Sequence, residues 1–330
     1  MKLTGKELVG VTGAAGFVGS HLVRYLVSRE FKVRVLVHRS PLAEDIRDHE
    51  RIETFHGSIN DPKEVEQFLK GVDILFHLAS ALGSRVISPD AFFQINRDGT
   101  DTVMQAAARS AVKKIVHFSS AGVYGKTSGR IPLKETAPCF PVDIYERSKL
   151  AGEEAARRYA DRLDISVIRP GWVYGEGDRR TFKLIKQIHS GPFFIAGSGR
   201  IKHSPIYIGD LVRTALLTAE KGKRGEIYNA GSEVATVEEM VNTIAAVLGK
   251  KIFPLKVPMF LVYPPAFCLG KLFALFGREA PLNPARLAFF LRGKPLDSAK
   301  IKTELGAVFH TPFGEGIKQA VAWYREEGWL

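Results

Sequence analysis

Tyr145 and Lys149 stand four residues apart, and Tyr145 alone among nine tyrosines has a lysine at that distance. On a helix this spacing puts both side chains on one face, one turn apart. A free phenol near pKa 10 is a poor base at neutral pH, so a tyrosine that handles protons needs positive charge beside it. An ammonium at Lys149 would lower the phenol's pKa by stabilising the phenolate. Chance supplies such pairs often, so the spacing alone carries little weight, and a surface pair is the plain alternative.

A second constellation is a glycine turn. Leu8 to Thr12 is a short apolar run, Gly13-Ala14-Ala15-Gly16-Phe17-Val18-Gly19 follows, and His21 to Val27 has apolar residues at helical spacing. The order reads strand, turn, helix. Glycine lets the backbone approach a pyrophosphate, and the helix N-terminus behind it offers free N–H groups to the anion. Gly13, Ala15, Gly16, Phe17 and Val18 are therefore expected to hold a dinucleotide; a tight turn without a ligand is the alternative.

Lys32 to Val37 reads as the second strand and ends at His38 and Arg39, where the adenosine ribose is expected. An acidic residue there would favour NAD, whereas a guanidinium can pair with the 2′-phosphate of NADP. NADP is thus preferred over NAD. A surface arginine after a strand is the alternative.

These residues need elements to hold them. Strands are predicted at Glu53 to Phe55, Ile74 to Leu78 and Lys114 to Ser119, with helices beginning near Pro62 and Ala91. The alternation implies an α/β fold, a doubly wound parallel Rossmann-type sheet. Asp61 before Pro62 reads as an N-cap.

With these motifs in order, the chain resembles the extended short-chain dehydrogenase/reductase family, within the NAD(P)-dependent epimerase/dehydratase superfamily. The turn has that family's TGxxGxxG spacing from Thr12 to Gly19. His77-Leu78-Ala79-Ser80 resembles its loop after the fourth strand, and Asn96 stands where the family has a structural asparagine. Ser119 to Gly125, Tyr145 to Lys149 and Arg169 to Gly175 follow in family order.

The resemblance implies that Ser120, with Ser119 as the alternative, hydrogen-bonds a substrate oxygen while Tyr145 exchanges a proton with it. Hydride would then pass between the substrate carbon and nicotinamide. It further implies that Lys149 bonds the nicotinamide ribose, that Pro170 to Val173 lie along the nicotinamide, and that Leu78, Ala79 and Ser80 line the cofactor. Ser58 departs from the family, which places an Asp there against adenine; Ile59 is left to line that pocket. His77 reads as a satisfied strand-end histidine rather than a base, and no metal is expected because the histidines lack ligand spacing.

After Gly175 the sequence becomes polar through Arg180, then helical and glycine-rich through Arg200. Ser204 to Leu211 resembles the family segment that returns to the sheet. The predicted division is 1–175 plus 205–231 for NAD(P) binding, and 176–204 plus 232–330 for a smaller, discontinuous substrate lobe. Residues 253–276 are strongly apolar, yet lysines and prolines interrupt them, which disfavours a spanning helix. They are either the core of the lobe, or a pocket mouth or membrane-facing surface for a hydrophobic substrate.

Gly277 to Leu282, Asp297 to Lys300 and Leu305-Gly306 resemble the 3β-hydroxysteroid dehydrogenase-like and dihydroflavonol reductase-like branches. That implies an oxidoreductase interconverting a secondary alcohol and a ketone on a hydrophobic small molecule. A nucleotide-sugar epimerase is the competing enzyme. Ala121 and Gly122 after Ser120 lack the acid a dehydratase needs, and His203 stands near the place of a nucleotide-sugar arginine, although Arg200 or Lys202 could substitute. A non-catalytic dinucleotide sensor or RNA-binding protein is the third reading, and keeping Ser120, Tyr145 and Lys149 argues against it.

Composition agrees with a globular chain: 330 residues, 45% hydrophobic and 25% charged. The net charge of +12 is dispersed in short groups, which reads as a solvated surface rather than a nucleic-acid footprint. Two cysteines are too few for a disulfide framework, and the N-terminus runs directly into a strand without a signal peptide's apolar stretch. A cytoplasmic protein is expected, with room for membrane contact through 253–276 and for a homodimer.

Overall fold

The structure is a computed structural model that describes residues 3–82, 88–191, 193–251, 255–276, 280 and 284–330. Phe253 and Pro254 of the apolar stretch lie outside the described residues, as do Gly277 to Glu279 and Pro281 to Leu282 of the branch-like pattern. Six strands are β1 (Leu8–Thr12), β2 (Lys32–Val37), β3 (Ile52–His56), β4 (Ile74–His77), β5 (Lys114–Phe118) and β6 (Ile165–Pro170). With Ile227–Ala230 they form one parallel sheet in the order Ile227–Ala230, β6, β5, β4, β1, β2, β3.

The central strands are buried along nearly their whole length, so they read as apolar runs rather than alternating patterns. Helices cover both faces. Leu22, Val23 and Leu26 of the Phe17–Ser28 helix join one core, while Val65, Phe68 and Leu69 of Pro62–Leu69 join the other with Val103 and Met104 of Gly99–Ala108. Asp61 caps Pro62–Leu69 by accepting from the Lys63 and Glu64 amides at 2.9 and 3.1 Å.

From β1 the chain proceeds outward to β2 and β3, then crosses back to β4 on the other side. This reversal opens a crevice at the C-terminal ends of β1 and β4, where doubly wound sheets receive their ligands. The helix expected near Ala91 begins at Pro89 and passes through one π turn, Gln94–Asp98, into Gly99–Ala108.

Beyond Gly175, Asp178 caps the Arg179–Ser190 helix, and Pro205–Tyr207 pairs in parallel with Trp172–Tyr174. The Ile208–Lys221 helix leads to the last sheet strand, and Phe313–Glu326 closes the chain. Ile185, Met240, Ile317 and Tyr324 belong to the same apolar cluster as Val9 and Val33 of the sheet. These later segments therefore extend the sheet's core, while Ala196, Val262, Ala266 and Leu287 form a small cluster of their own.

Candidate active site

Thr12 fixes the crevice. Its hydroxyl accepts from the Leu78 and Ala79 amides, each at 3.2 Å, and lies 2.7 Å from His77 Nδ1. On the other side of the ring, His77 Nε2 lies 3.0 Å from Thr100 Oγ1, which itself donates to the Asn96 carbonyl. The bonds close consistently with the proton on Nε2: Nε2–H donates to Thr100, and Nδ1 accepts from Thr12. Burial holds His77 at a pKa of about 3, so it is a neutral tie between β1, β4 and the following helix.

Drawing these loops together leaves no room at the turn. Gly13 has φ +73°, and a Cβ there would lie 2.7 Å from the Ala79 nitrogen; at Gly19 it would lie 2.1 Å from the Gly13 carbonyl oxygen. The Phe17–Ser28 helix starts behind Gly16 with no side-chain cap and no acidic residue in its first turn. Its first amides face the crevice beside Ala15, Phe17 and Val18, all partly exposed, which fits an anionic diphosphate. Leu78, Ala79 and Ser80 form the opposite lip, also partly exposed.

At the far end of the crevice, His38, His56, Gly57, Ser58, Asn60, Asp61 and Glu64 line a cleft of about 500 Å³. Arg39 follows His38 and is exposed. Ser58 turns its hydroxyl to the Asn60 amide at 3.2 Å, and Ile59 packs into the core against Gly99. The cleft is polar, with two imidazoles and the Asp61 and Glu64 carboxylates in its lining.

Tyr145 lies in the first turn of the Ile144–Arg157 helix, capped by Asp143. Asn96 positions this helix: its amide donates to Ser148 Oγ at 2.8 Å, Ser148 donates to the Tyr145 carbonyl at 2.9 Å, and its Oδ1 accepts from the Ala81 amide at 2.7 Å. A Cβ at Gly152 would lie 2.1 Å from the Asn96 carbonyl oxygen, so the helix packs there backbone to backbone.

Ser120 accepts from the Gly122 amide at 3.0 Å and hydrogen-bonds the Tyr145 side chain. The Ser119 hydroxyl is instead buried without a partner, so Ser120 is the serine brought to Tyr145. Lys149 donates from Nζ to the Phe118 carbonyl at 2.5 Å, and burial lowers its pKa to about 8.

The charges around Tyr145 fall differently from expectation. Burial pushes the phenol above its usual range, and the opposing pull comes from the Arg180 guanidinium and then the Ser120 hydrogen bond. The Lys149 ammonium is directed to the Phe118 carbonyl at the end of β5, and Arg180 and Ser120 are the leading influences that lower the phenol's pKa. Arg180 is held beside Asp178, Nε to Oδ1 at 3.4 Å, at the start of the Arg179–Ser190 helix.

Two further residues were not singled out from the sequence. Lys294 donates to the Gly125 carbonyl and pairs with Glu146 at 3.4 Å, which clamps the chain's last third onto the Tyr145 helix. Glu153, on the same helix, makes a buried two-point pair with Arg169 of β6, at 2.9 and 2.5 Å. Neither has a local signal, since each pairs charges from distant segments.

Pro170 and Val173 are buried at the end of β6 and just beyond it. Next to them an aromatic wall runs from Trp172 to Phe289 (5.2 Å between centroids) and on to His203, stacked on Phe289 at 4.5 Å. His203 Nε2 also bonds the Phe289 carbonyl, and burial holds its pKa at about 4. At the place suited to a nucleotide-sugar arginine, the ring is thus neutral and engaged in packing. Among the described residues no group of His, Cys, Asp and Glu could hold a metal ion.

The chain belongs to the NAD dependent epimerase/dehydratase family, whose model matches residues 9–231. It is an enzyme of the extended short-chain dehydrogenase/reductase type. It is 30% identical over 328 residues to "Sterol demethylase protein B" of Methylococcus capsulatus, covering 97% of this chain and 99% of that protein. The crystal structure of gox2253 superposes with a TM-score of 0.82 at 29% identity, covering 98% and 99% of the two chains. DesIV of Streptomyces venezuelae, a dTDP-glucose 4,6-dehydratase solved with NAD and TYD bound, superposes with a TM-score of 0.77 at 26% identity, covering 98% of each. Relatives thus span sterol-related and sugar-modifying proteins.

Proposed function

We propose that this enzyme interconverts a secondary alcohol and a ketone on a hydrophobic small molecule, using a nicotinamide dinucleotide. The observation that carries the substrate class is the wall beside Pro170 to Val173: Trp172 and Phe289, backed by a neutral His203, suit an apolar body better than a nucleotide. The sterol-related relative supports the same class.

Residues 1–175 with 205–231 would hold the dinucleotide, and 176–204 with 232–330 would shape the substrate side. Gly13, Ala15, Gly16, Phe17 and Val18 would cradle the diphosphate, with Leu78, Ala79 and Ser80 opposite and Ser58 and Ile59 toward adenine. His38 and Arg39 favour NADP over NAD, because a guanidinium can meet a 2′-phosphate. When bound, the nicotinamide supplies the hydride acceptor or donor.

In the oxidising direction the Ser120 hydroxyl orients the substrate oxygen, and Tyr145 takes its proton as the carbon gives up hydride; reduction returns both. Lys149 would bond the nicotinamide ribose, while Arg180 and the Ser120 hydroxyl favour the Tyr145 phenolate as the proton moves. Pro170 and Val173 bound the nicotinamide pocket.

The test follows the cofactor's absorbance with NADPH, NADP, NADH and NAD against sterol, flavonoid-like and nucleotide-sugar panels. Turnover on an apolar ketone or alcohol is expected, faster with the phosphorylated cofactor, and at least ~100-fold slower in Tyr145→Phe. Isomerisation of a nucleotide sugar without net cofactor change would overturn the reading.

A further inference from the structure

The Met259–Leu275 helix has a single charged residue, Lys271, and is otherwise almost wholly apolar, yet Val262 and Ala266 are its buried positions among the described side chains. Val262 and Ala266 pack with Leu287 and Phe290 of the Pro284–Leu291 helix. Phe260, Leu261, Phe267, Leu272, Leu275 and Phe276 stay exposed, Leu275 at 82% and Phe276 at 75%. Scattered surface hydrophobics need no explanation, but this contiguous set does: covering each large side chain would release about 1.5–3 kcal/mol.

The charge pattern indicates what covers it. Residues 249–296 carry eight basic residues against a single acidic one, Glu279; Lys256, Arg292 and Lys294 pair with Glu238, Asp143 and Glu146, and Lys250, Lys251 and Lys271 are exposed. At about 100° per residue, Lys271 projects from the side opposite Val262 and Ala266, and its ammonium lies 4.6 Å above the Phe267 ring. A lysine there can bury its stem in an apolar layer and send its charge to a headgroup.

We propose that this helix docks the protein onto an anionic phospholipid bilayer, lying in the interface with its exposed face among the acyl chains. The helix has 17 residues with Pro264 and Pro265 inside it, and no helix among the described residues is long and apolar enough to cross a membrane. A second copy of the chain is disfavoured as occupant, because face-to-face docking would bring the exposed Lys271 ammonium of each copy against the same basic segment. Phe289 of the neighbouring helix reaches the aromatic wall, so a membrane-dissolved substrate would meet the site with little passage through water. That last consequence rests on the proposed activity; docking itself does not.

The test is co-sedimentation of the full chain with phosphatidylcholine vesicles, with and without phosphatidylglycerol, at low and high salt. Retention on the anionic vesicles, weakened by salt, is expected. A Phe260→Ser/Leu275→Ser/Phe276→Ser variant should lose at least tenfold in binding while keeping its thermal midpoint, because all three side chains are exposed. Lys271→Glu should lose about thirtyfold, at about fivefold per unit of charge near the surface. No retention, equal retention on neutral vesicles, or retention unchanged in both variants would overturn the proposal. So would a dimer in sedimentation velocity that the triple variant dissolves.

Discussion

Lys149 sits where burial, more than any neighbouring charge, sets its protonation. Its folded pKa is about 8 against an ordinary 10.5. Below pH 8 the lysine is charged in both folded and unfolded chains, and the fold carries the full cost of burying the charge. Between pH 8 and 10.5 the unfolded chain binds more protons, so this contribution to stability rises with pH. Wild type should therefore gain on Lys149→Met by on the order of 3 kcal/mol between pH 7 and 11, read from urea unfolding. A constant difference would mean that the ammonium is solvated. Tyr145 and Lys149 were legible as a pair because a helix brings residues four apart onto one face. Their electrostatic relation was not legible, because the Phe118 carbonyl that holds Lys149 and the Arg180 charge that acts on Tyr145 come from other segments.

At the scale of elements, the Arg169–Glu153 pair joins β6 to the Tyr145 helix with both side chains almost wholly buried. Removing either partner leaves an uncompensated interior charge, which typically costs 3–5 kcal/mol, roughly. Arg169→Met or Glu153→Leu alone should each lose about that much in denaturant unfolding, while the double variant loses less than either. Strictly additive losses would show that the two charges do not depend on each other. The strands were readable to within a residue or two, because buried parallel strands are short apolar runs bounded by turns. Leu78 and Ser119 fell inside expected strands but lie just past the ends of β4 and β5. The π turn at Gln94–Asp98 had no local signature; it occurs where Asn96 reaches both Ala81 and Ser148.

For the molecule as a whole, one apolar cluster runs from β1 to the final helix, so the two predicted regions share a core. Calorimetry should accordingly record a single unfolding transition with matching calorimetric and van't Hoff enthalpies. Two resolved transitions would mean that 232–330 unfolds on its own. The division into regions came from the order of motifs, and order along the chain does not reveal how deeply later segments are built into earlier ones. Asn229 makes the point at one side chain. It accepts from the Tyr124 hydroxyl at 2.7 Å and donates to the Leu133 carbonyl at 2.8 Å and the Asp297 carbonyl at 3.3 Å. Lys294, three residues before Asp297, grips Gly125 and Glu146. Substrate preference in such an architecture is not a detachable module: a chimaera that imports a relative's last third must also import matching partners at 124–146, or its reactive tyrosine will be misplaced even where both parents are active.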